Sequence, residues 1–268
     1  MTAGETGPNM ARMYDYWLGG TDNYEADRAA AEAVRRQRPR VAEQALDNKR
    51  FLTRAVRFVA GRGVHQFLDI GAGLPTSPLP APGADPLWQA THEAARAVSP
   101  GAVVAYADID PVAVAQAQGL LAGGSGVVAV TGDMRDPLAI LGDERIRAAG
   151  FSPAAPAGVI LGCMLHFLDA PTAHGVLATL VGALAPDSYV IISVGYSPGA
   201  DGQHFARSYN AQDGPRIYAH ALPDITALFN GLELVPPGLV NAAAWQAPEP
   251  PPHDEDPSMI LAGVGRKP

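Results

Sequence analysis

The first 62 positions have the pattern of helices, and the apolar residues of the third helix recur near helical spacing, which predicts that one of its faces is buried: Val41, Ala45, Leu52, Val56 and Val59. Gly19 and Gly20 are typical of a helix end. Asp22, followed three residues later by Glu25, resembles a capping box that begins a second helix. We therefore predict an N-terminal helical cap, residues 1–62, with helices over 8–18, 22–37 and 41–60.

From residue 64 the pattern changes to short apolar runs that alternate with helical segments. This alternation predicts a parallel sheet with helices on both faces, in a second unit that spans residues 63–268. The predicted strands cover 64–70, 103–107, 127–131, 158–163, 189–194, 233–235 and 259–264. The predicted helices cover 91–98, 111–122, 170–184 and 223–229. Two segments, 75–86 and 248–257, are too rich in proline for regular structure and are predicted to be insertions.

The composition limits the classes of protein to which this chain can belong. Hydrophobic residues make up 47% of the 268 residues, enough for one large α/β domain. No apolar run approaches the ~20 residues of a membrane span. The net charge of −8 argues against nucleic-acid binding, which needs clustered Lys and Arg. The first residues lack the features of a secretory signal, so we expect a cytoplasmic protein.

Cysteine and histidine give no evidence of a metal site. The single cysteine, Cys163, excludes an intrachain disulfide and a metal site built from cysteines. The histidines, among them His92 and His174, show no paired ligand spacing. We therefore expect no bound metal.

A glycine turn follows the first predicted strand. There an apolar run ends in Asp69-Ile70-Gly71-Ala72-Gly73, a turn that lets the backbone approach a nucleotide-like ligand. A dinucleotide-binding fingerprint would have a third glycine where this chain has Thr76. Asp69 would place a carboxylate beside a pyrophosphate, so it better suits a cationic ligand such as the amino-acid end of a sulfonium cofactor.

The next two predicted strands also end in acids. Asp108 follows the strand at 103–107, and Asp133 follows the strand at 127–131. In a doubly wound sheet the carboxyl ends of neighbouring strands line one crevice. Together with Asp69, these acids predict a single cofactor site, in which Asp108 meets a ribose and Asp133 an adenine amino group.

These residues resemble those of a known family, the class I S-adenosylmethionine-dependent methyltransferases. The chain looks specifically like the actinobacterial group named S-adenosyl methyltransferase, formerly domain of unknown function 574. The matching stretches are 11–23 (ARMYDYWLGGTDN), 48–52 (NKRFL), 67–76 (FLDIGAGLPT), 108–111 (DIDP), 165–167 (LHF), 232–234 (LEL) and 263–267 (GVGRK). The resemblance implies a Rossmann-like, doubly wound, seven-stranded mixed α/β sheet in the order 3-2-1-4-5-7-6, with its last strand antiparallel and a helical cap before it.

The resemblance also implies where S-adenosylmethionine binds. The glycine turn would contact its methionine part, Asp108 its ribose hydroxyls and Ile109 the face of its adenine. Asp133 and Met134 would flank the adenine ring, and the residues that end the fourth strand would lie near the sulfonium. The implied cofactor-binding set is Asp69, Gly71, Ala72, Gly73, Asp108, Ile109, Asp133, Met134, Cys163 and Met164.

The cap signature, which contains Arg12, Tyr14, Asp15 and Asn23, has two interpretations. It can be a helical hairpin whose caps and ion pairs close one side of the domain. It can equally be a lid over cofactor and acceptor, with Tyr14 or Asp15 facing the sulfonium. His166, which follows the fourth strand, is either a general base or a structural residue. Tyr14 and His166 are therefore the candidate catalytic residues.

The predicted function is methyl transfer from S-adenosylmethionine to a small-molecule acceptor, which releases S-adenosylhomocysteine. Two alternatives stay open at this point. One is a non-catalytic regulatory protein that binds S-adenosylmethionine or a nucleoside, favoured by the absence of an unambiguous base. The other is an NAD(P)-dependent oxidoreductase, which the missing third glycine and Asp69 both disfavour.

Overall fold

The structure is a computed structural model that describes residues 7–74, 88–122, 124–211, 215–249 and 259–268. The predicted insertion at 75–86 lies outside the described residues, as does Thr76 within it. Of the second predicted insertion, residues 250–257 also lie outside them.

Five parallel strands form the centre of the sheet, because their apolar runs can be buried on both faces. β1 (Gln66–Ile70) lies between β2 (Val103–Asp108) and β4 (Gly158–Gly162). β3 (Val127–Thr131) pairs with β2, and β5 (Tyr189–Tyr196) pairs with β4. The strand order reverses beside β1, so the carboxyl ends of β1, β2 and β4 open a crevice there.

Three further strands lie at the β5 edge and run antiparallel to their partners. β8 (Met259–Arg266) pairs with β5, and the short strands β6 (Glu233–Leu234) and β7 (Val240–Asn241) both pair with β8. The order β3-β2-β1-β4-β5-β8-β6 confirms the predicted order and the antiparallel last strand. β7 is an eighth strand that was not predicted, because two residues carry no periodic pattern.

Helices cover both faces of the sheet. The N-terminal helices are α1 (Met10–Trp17), α2 (Glu25–Gln37) and α3 (Val41–Gly61). The others are α4 (Thr91–Arg96), α5 (Pro111–Leu120), α6 (Pro137–Gly142), α7 (Glu144–Ala148), α8 (Ala170–Ala183), α9 (Gly199–Asn210) and α10 (Leu222–Ala227). The sequence did not predict α6, α7 or α9. The first two are too short to show a helical period, and α9 has few apolar residues.

The start of α2 differs from the predicted capping box. α2 begins after Tyr24, whose backbone N–H donates to the Asp27 carboxylate at 2.9 Å. Asp22 instead donates its backbone N–H to the Asp15 carboxylate at 2.9 Å. The capping-box prediction from Asp22 and Glu25 is therefore wrong, because Asp27 satisfies the backbone donor at the helix start.

The core occupies both faces of the sheet. Along β1, Leu68 faces the layer that contains α8, and Phe67 faces the layer that contains α3. Phe51 of α3 meets Trp245 edge-on, with ring centroids 5.5 Å apart, and both side chains are fully buried. α3 therefore shares the core of the sheet, and the division into units 1–62 and 63–268 stays a prediction. A smaller cluster joins α1 and α2 through Met13, Ala31 and Val34.

Truncation of Phe51 tests how strongly α3 is bound to the sheet. Phe51→Ala should lower the free energy of unfolding by about 3–5 kcal/mol, because it leaves a cavity beside Trp245. Urea unfolding measures this change. Leu120→Ala, at an exposed position of α5, is the control and should change it by less than about 0.5 kcal/mol. Equal effects of the two substitutions would contradict the burial of Phe51.

Candidate active site

The carboxyl ends of β1, β2 and β4 open into a cavity of about 570 Å³. One wall contains these strand ends, and the facing wall contains α1, α9 and residues 215–220. Most of the residues predicted for the site line this cavity: Tyr14, Asp15, Asp69, Gly71, Ala72, Gly73, Asp108, Ile109, Asp133, Met134, Cys163, Met164 and His166. Arg12 and Asn23 do not line it.

The glycine turn has a backbone that other residues rarely adopt. Gly71 has φ 72° and Gly73 has φ 59°, both in the left-handed region. A Cβ on Gly73 would lie 3.1 Å from the Cβ of Ala11 in α1. The turn therefore needs glycine both for its conformation and for the close approach of the N-terminal helix.

Asp108 holds the glycine turn and also faces the cavity. Its carboxylate accepts hydrogen bonds from the backbone N–H of Gly73 at 2.8 Å and of Asp110 at 2.9 Å. Burial raises the pKa of Asp108, although both hydrogen bonds oppose that rise. The remaining lone pairs of the carboxylate can accept two vicinal hydroxyls of a ribose.

Three residues at the edge of the cavity form a site suited to an adenine ring. Ile109 is 57% exposed, unusual for a large apolar side chain, and Met134 lines the same part of the cavity. The Asp133 carboxylate pairs with Arg135, and this hydrogen bond lowers the pKa of Asp133. Asp133 therefore stays ionised and keeps lone pairs that can accept from an exocyclic amine.

Asp69 lies deeper, at the end of β1. Its Oδ2 accepts a hydrogen bond from the Thr91 hydroxyl at 2.6 Å. Burial raises the pKa of Asp69, while Thr91 and the positive charge of Lys49 lower it. Asp108 adds like-charge repulsion that raises it again. A cationic group bound between these two acids would relieve that repulsion.

A buried hydrogen-bond chain connects the end of β4 to the cap. Cys163, with φ 56°, donates its backbone N–H to the Ser193 hydroxyl at 3.0 Å. Ser193 donates to Asn48 Oδ1 at 2.7 Å, and Asn48 Nδ2 donates to the Tyr14 hydroxyl at 2.8 Å. Tyr14 donates in turn to the Ala45 carbonyl at 3.2 Å. The chain thus fixes the left-handed residue Cys163 against α3 and α1.

The same surroundings determine the chemistry of Tyr14 and Cys163. Burial raises the pKa of Tyr14 well above its ordinary value, so its hydroxyl stays protonated. Burial likewise raises the pKa of the Cys163 thiol to about 11. Neither group is an anion at neutral pH, and neither provides a ready base or nucleophile.

Arg12 and Asn23 stabilise the cap from within. Arg12 Nε pairs with Asp27 at 2.6 Å, and both side chains are buried. Burial raises the pKa of Asp27, but hydrogen bonds from Arg12, Tyr24 and the backbone of residue 9 outweigh it and leave that pKa lowered. Asn23 donates to the Asp15 carboxylate at 2.9 Å. These contacts match the hairpin interpretation of Arg12 and Asn23, whereas Tyr14 and Asp15 face the cavity.

His166 is neutral and partly enclosed. Its Nδ1 is buried without a hydrogen-bond partner in the described part of the chain. Burial, together with a smaller effect of the nearby His220, lowers the pKa of His166 to about 4. His220 contacts the carbonyls of Leu165 and Leu168 through Nε2, at 3.2 and 3.0 Å, which holds the turn that carries His166.

Aromatic side chains also line the cavity, and the part that they form is here called its aromatic end. Its side chains include Trp17, Phe167, Tyr196, Phe205, Tyr209 and Tyr218. The Arg38 guanidinium also lies there, stacked 4.5 Å from the centroid of the Phe205 ring and paired with Asp201 at 2.7 Å. This end therefore suits an apolar molecule better than a charged one.

Sequence reasoning missed three functional candidates, Asn48, Lys49 and Ser193. Asn48 and Ser193 belong to the hydrogen-bond chain, and Lys49 lines the cavity. Asn48 and Lys49 stand within a stretch that carries the family resemblance, so a signal for them was present. Ser193 lies inside an apolar strand, and no sequence pattern marks its hydroxyl.

Comparison with known proteins establishes the family. Residues 4–268 match the model of the S-adenosyl methyltransferase family. A proposed methyltransferase from Thermobifida fusca YX has 38% sequence identity and a TM-score of 0.87, over 97% of this chain and 95% of that one. A protein of the family of domain of unknown function 574 from Streptomyces avermitilis MA-4680 has 33% identity and a TM-score of 0.85, over 98% of both chains. No curated protein matches the chain significantly.

The chain belongs to the S-adenosyl methyltransferase family. It is an S-adenosylmethionine-dependent methyltransferase with a Rossmann-like fold, and it binds S-adenosylmethionine. The prediction of the family, the enzyme class and the cofactor is thereby confirmed, and both alternative functions are set aside. Among the described residues there is no helix long and apolar enough to cross a bilayer, and no group of three potential metal ligands.

The low pKa of His166 predicts how acid affects stability. Unfolded His166 takes up a proton near its ordinary pKa of 6.5, whereas the folded protein does so only near pH 4. Burial of the neutral ring therefore costs no protonation energy above pH 6.5. The free energy of unfolding falls by up to about 3 kcal/mol as the pH decreases from 6.5 to 4. His166→Gln should lack this part of the pH dependence in urea unfolding. Identical slopes for the two proteins would show that His166 titrates normally.

Proposed function

We propose that this enzyme methylates a small molecule with a neutral, apolar body, held at the aromatic end of the cavity. One observation carries the proposal: a single cavity is lined both by acids with a glycine turn and by a set of aromatic side chains. S-adenosylmethionine supplies a methyl group already activated on its sulfonium. The protein's main task is therefore to hold the acceptor atom in line with that group and to exclude water.

The positions of the acids at the strand ends support the assignment of each acid to a different part of the cofactor. We assign Asp108 to the ribose hydroxyls and Asp69 to the ammonium of the methionine part. Ile109, Met134 and Asp133 form the adenine site, because they combine apolar surface with an ionised acceptor. Gly71, Ala72 and Gly73 provide the close backbone approach, and Cys163 and Met164 lie beside the sulfonium in this assignment.

The charges at the aromatic end support a neutral acceptor. Arg38 is paired with Asp201 and stacked on Phe205, so an acidic acceptor would have to compete with an existing ion pair. The net charge of −8 argues in the same direction against nucleic acid. A cytoplasmic location stays a prediction from the sequence.

The pKa values of the candidate catalytic residues favour an acceptor that needs little activation. We propose that neutral His166 accepts a hydrogen bond from the acceptor and orients it. Tyr14 forms part of the cavity wall and does not remove a proton, because its hydroxyl stays protonated and already donates to the Ala45 carbonyl. Phenols, thiols and amines suit such a site: the methyl group moves from the sulfonium to their oxygen, sulfur or nitrogen, S-adenosylhomocysteine leaves, and the acceptor's proton passes to water.

Titration with S-adenosylhomocysteine tests the cofactor assignment. Asp108→Ala should weaken its binding roughly 100-fold or more in calorimetry, because two hydrogen bonds to a carboxylate are lost. Asp136→Asn, at an acid that caps α6 outside the cavity, is the matched control and should leave the affinity unchanged. Unchanged affinity in Asp108→Ala would refute the ribose role.

Matched acceptors test the aromatic end. With methyl-labelled S-adenosylmethionine, we expect transfer to neutral aromatic phenols, thiols or amines such as 2-naphthol, and a higher KM for carboxylated counterparts such as 6-hydroxy-2-naphthoate. Tyr209→Ala should raise the acceptor KM about tenfold or more without changing the affinity for S-adenosylhomocysteine, because it removes one aromatic wall. Leu222→Ala, exposed outside the cavity, is the control. Preferential transfer to the carboxylated compounds would contradict a neutral acceptor.

A further inference from the structure

Lys49 is a cation in the cofactor end of the cavity that has no role in the site as described so far. It lies on α3 beside Asn48 and lines the cavity together with Asp69 and Cys163. Its Nζ lies 5.7 Å from the centroid of the Tyr14 ring, close enough for a cation–π contact. Among the described residues, the Lys49 ammonium has no hydrogen-bond acceptor and no carboxylate within ion-pair distance, although the backbone carbonyl of Lys49 accepts from Thr53.

Such an ammonium is costly to hold. Burial lowers the pKa of Lys49, and the negative charge of Asp69 only partly offsets that effect. Lys49 is half-buried, so its ammonium loses part of its hydration and gains no hydrogen-bond acceptor in return within the described part of the chain. Lys49 lines the cavity, so an anion bound there would compensate its ammonium for the lost hydration.

In the part of the chain that the structure describes, the Asp69 carboxylate also lacks a hydrogen-bond partner, at one of its two oxygens. Thr91 donates to its Oδ2, whereas its Oδ1 has no hydrogen-bond partner among the described residues. The cavity therefore presents one carboxylate oxygen and one ammonium, each with unused hydrogen-bonding capacity and attracted to the other without contact. A ligand group that carries both a positive and a negative charge matches this pair.

We propose that Lys49 binds the carboxylate of the methionine part of S-adenosylmethionine, while Asp69 binds its ammonium. The inference rests on the proposed function, since it assigns one more contact to the same cofactor. Lys49 reaches the site from α3 and Asp69 from β1, so the two ends of the zwitterion are held by two elements of one core. Lys49 thereby makes the site selective for nucleosides that carry an amino-acid group.

Two ligands separate this role from a general effect on the cavity. S-adenosylhomocysteine carries the amino-acid group, and 5′-methylthioadenosine has the same adenosine and thioether without it. Lys49→Met should weaken S-adenosylhomocysteine about 10- to 100-fold in calorimetry and leave 5′-methylthioadenosine unchanged, because one charge-assisted contact is lost. Lys49→Arg should recover part of the loss. Arg50→Met removes a neighbouring cation of the same helix that does not line the cavity, and it should change neither affinity.

The wild-type protein gives a second test that needs no variant. It should bind S-adenosylmethionine about 10- to 100-fold more tightly than decarboxylated S-adenosylmethionine, which keeps the ammonium and the sulfonium. Equal affinity for these two ligands would overturn the inference, as would equal losses of both nucleosides in Lys49→Met. Failure of the wild-type protein to bind S-adenosylhomocysteine at all would instead refute the proposed function.

Discussion

The buried hydrogen-bond chain from Cys163 through Ser193 and Asn48 to Tyr14 is the interaction on which the site depends. It joins β4, β5, α3 and α1, and its internal members both donate and accept. An unpaired member would cost about 1–3 kcal/mol in such an interior, so the four elements are held in one mutual arrangement. That arrangement fixes α1 across the cavity. Because Lys49 follows Asn48 directly, it also fixes where α3 presents its cation.

The two interpretations of the cap signature apply to different faces of α1. Residues two positions apart on a helix point in nearly opposite directions. Arg12 therefore turns into the cap, where it neutralises the buried Asp27, while Tyr14 faces the cavity and the sheet. The buried pair stabilises the hairpin only as long as both charges are present, since either alone would lack its partner. The hairpin and lid interpretations of the signature thus describe opposite sides of one helix.

Electrostatics favours a cation beside the glycine turn. Asp69 and Asp108 repel one another across the turn, and burial makes both costly to ionise. A ligand with positive charge at its sulfonium and ammonium would reduce both the repulsion between the two acids and the cost of their ionisation. A pyrophosphate would increase both. The acids at the strand ends disfavour a dinucleotide because their burial makes added negative charge costly. This burial cannot be seen in the sequence.

Local pattern by itself determined the five parallel strands, the acids at the ends of three of them and the glycine turn, because buried strands and tight turns restrict which residues they can contain. The family resemblance added the strand order and the cofactor. The features that a local pattern cannot indicate were decided by the tertiary structure. The helix α9 was missed because it has few apolar residues along its length, and Ser193 was missed because only its distant partner, Asn48, gives its hydroxyl a role. The protonation of Tyr14 and His166 was likewise decided by tertiary structure, because desolvation depends on neighbours from elements far apart in the chain.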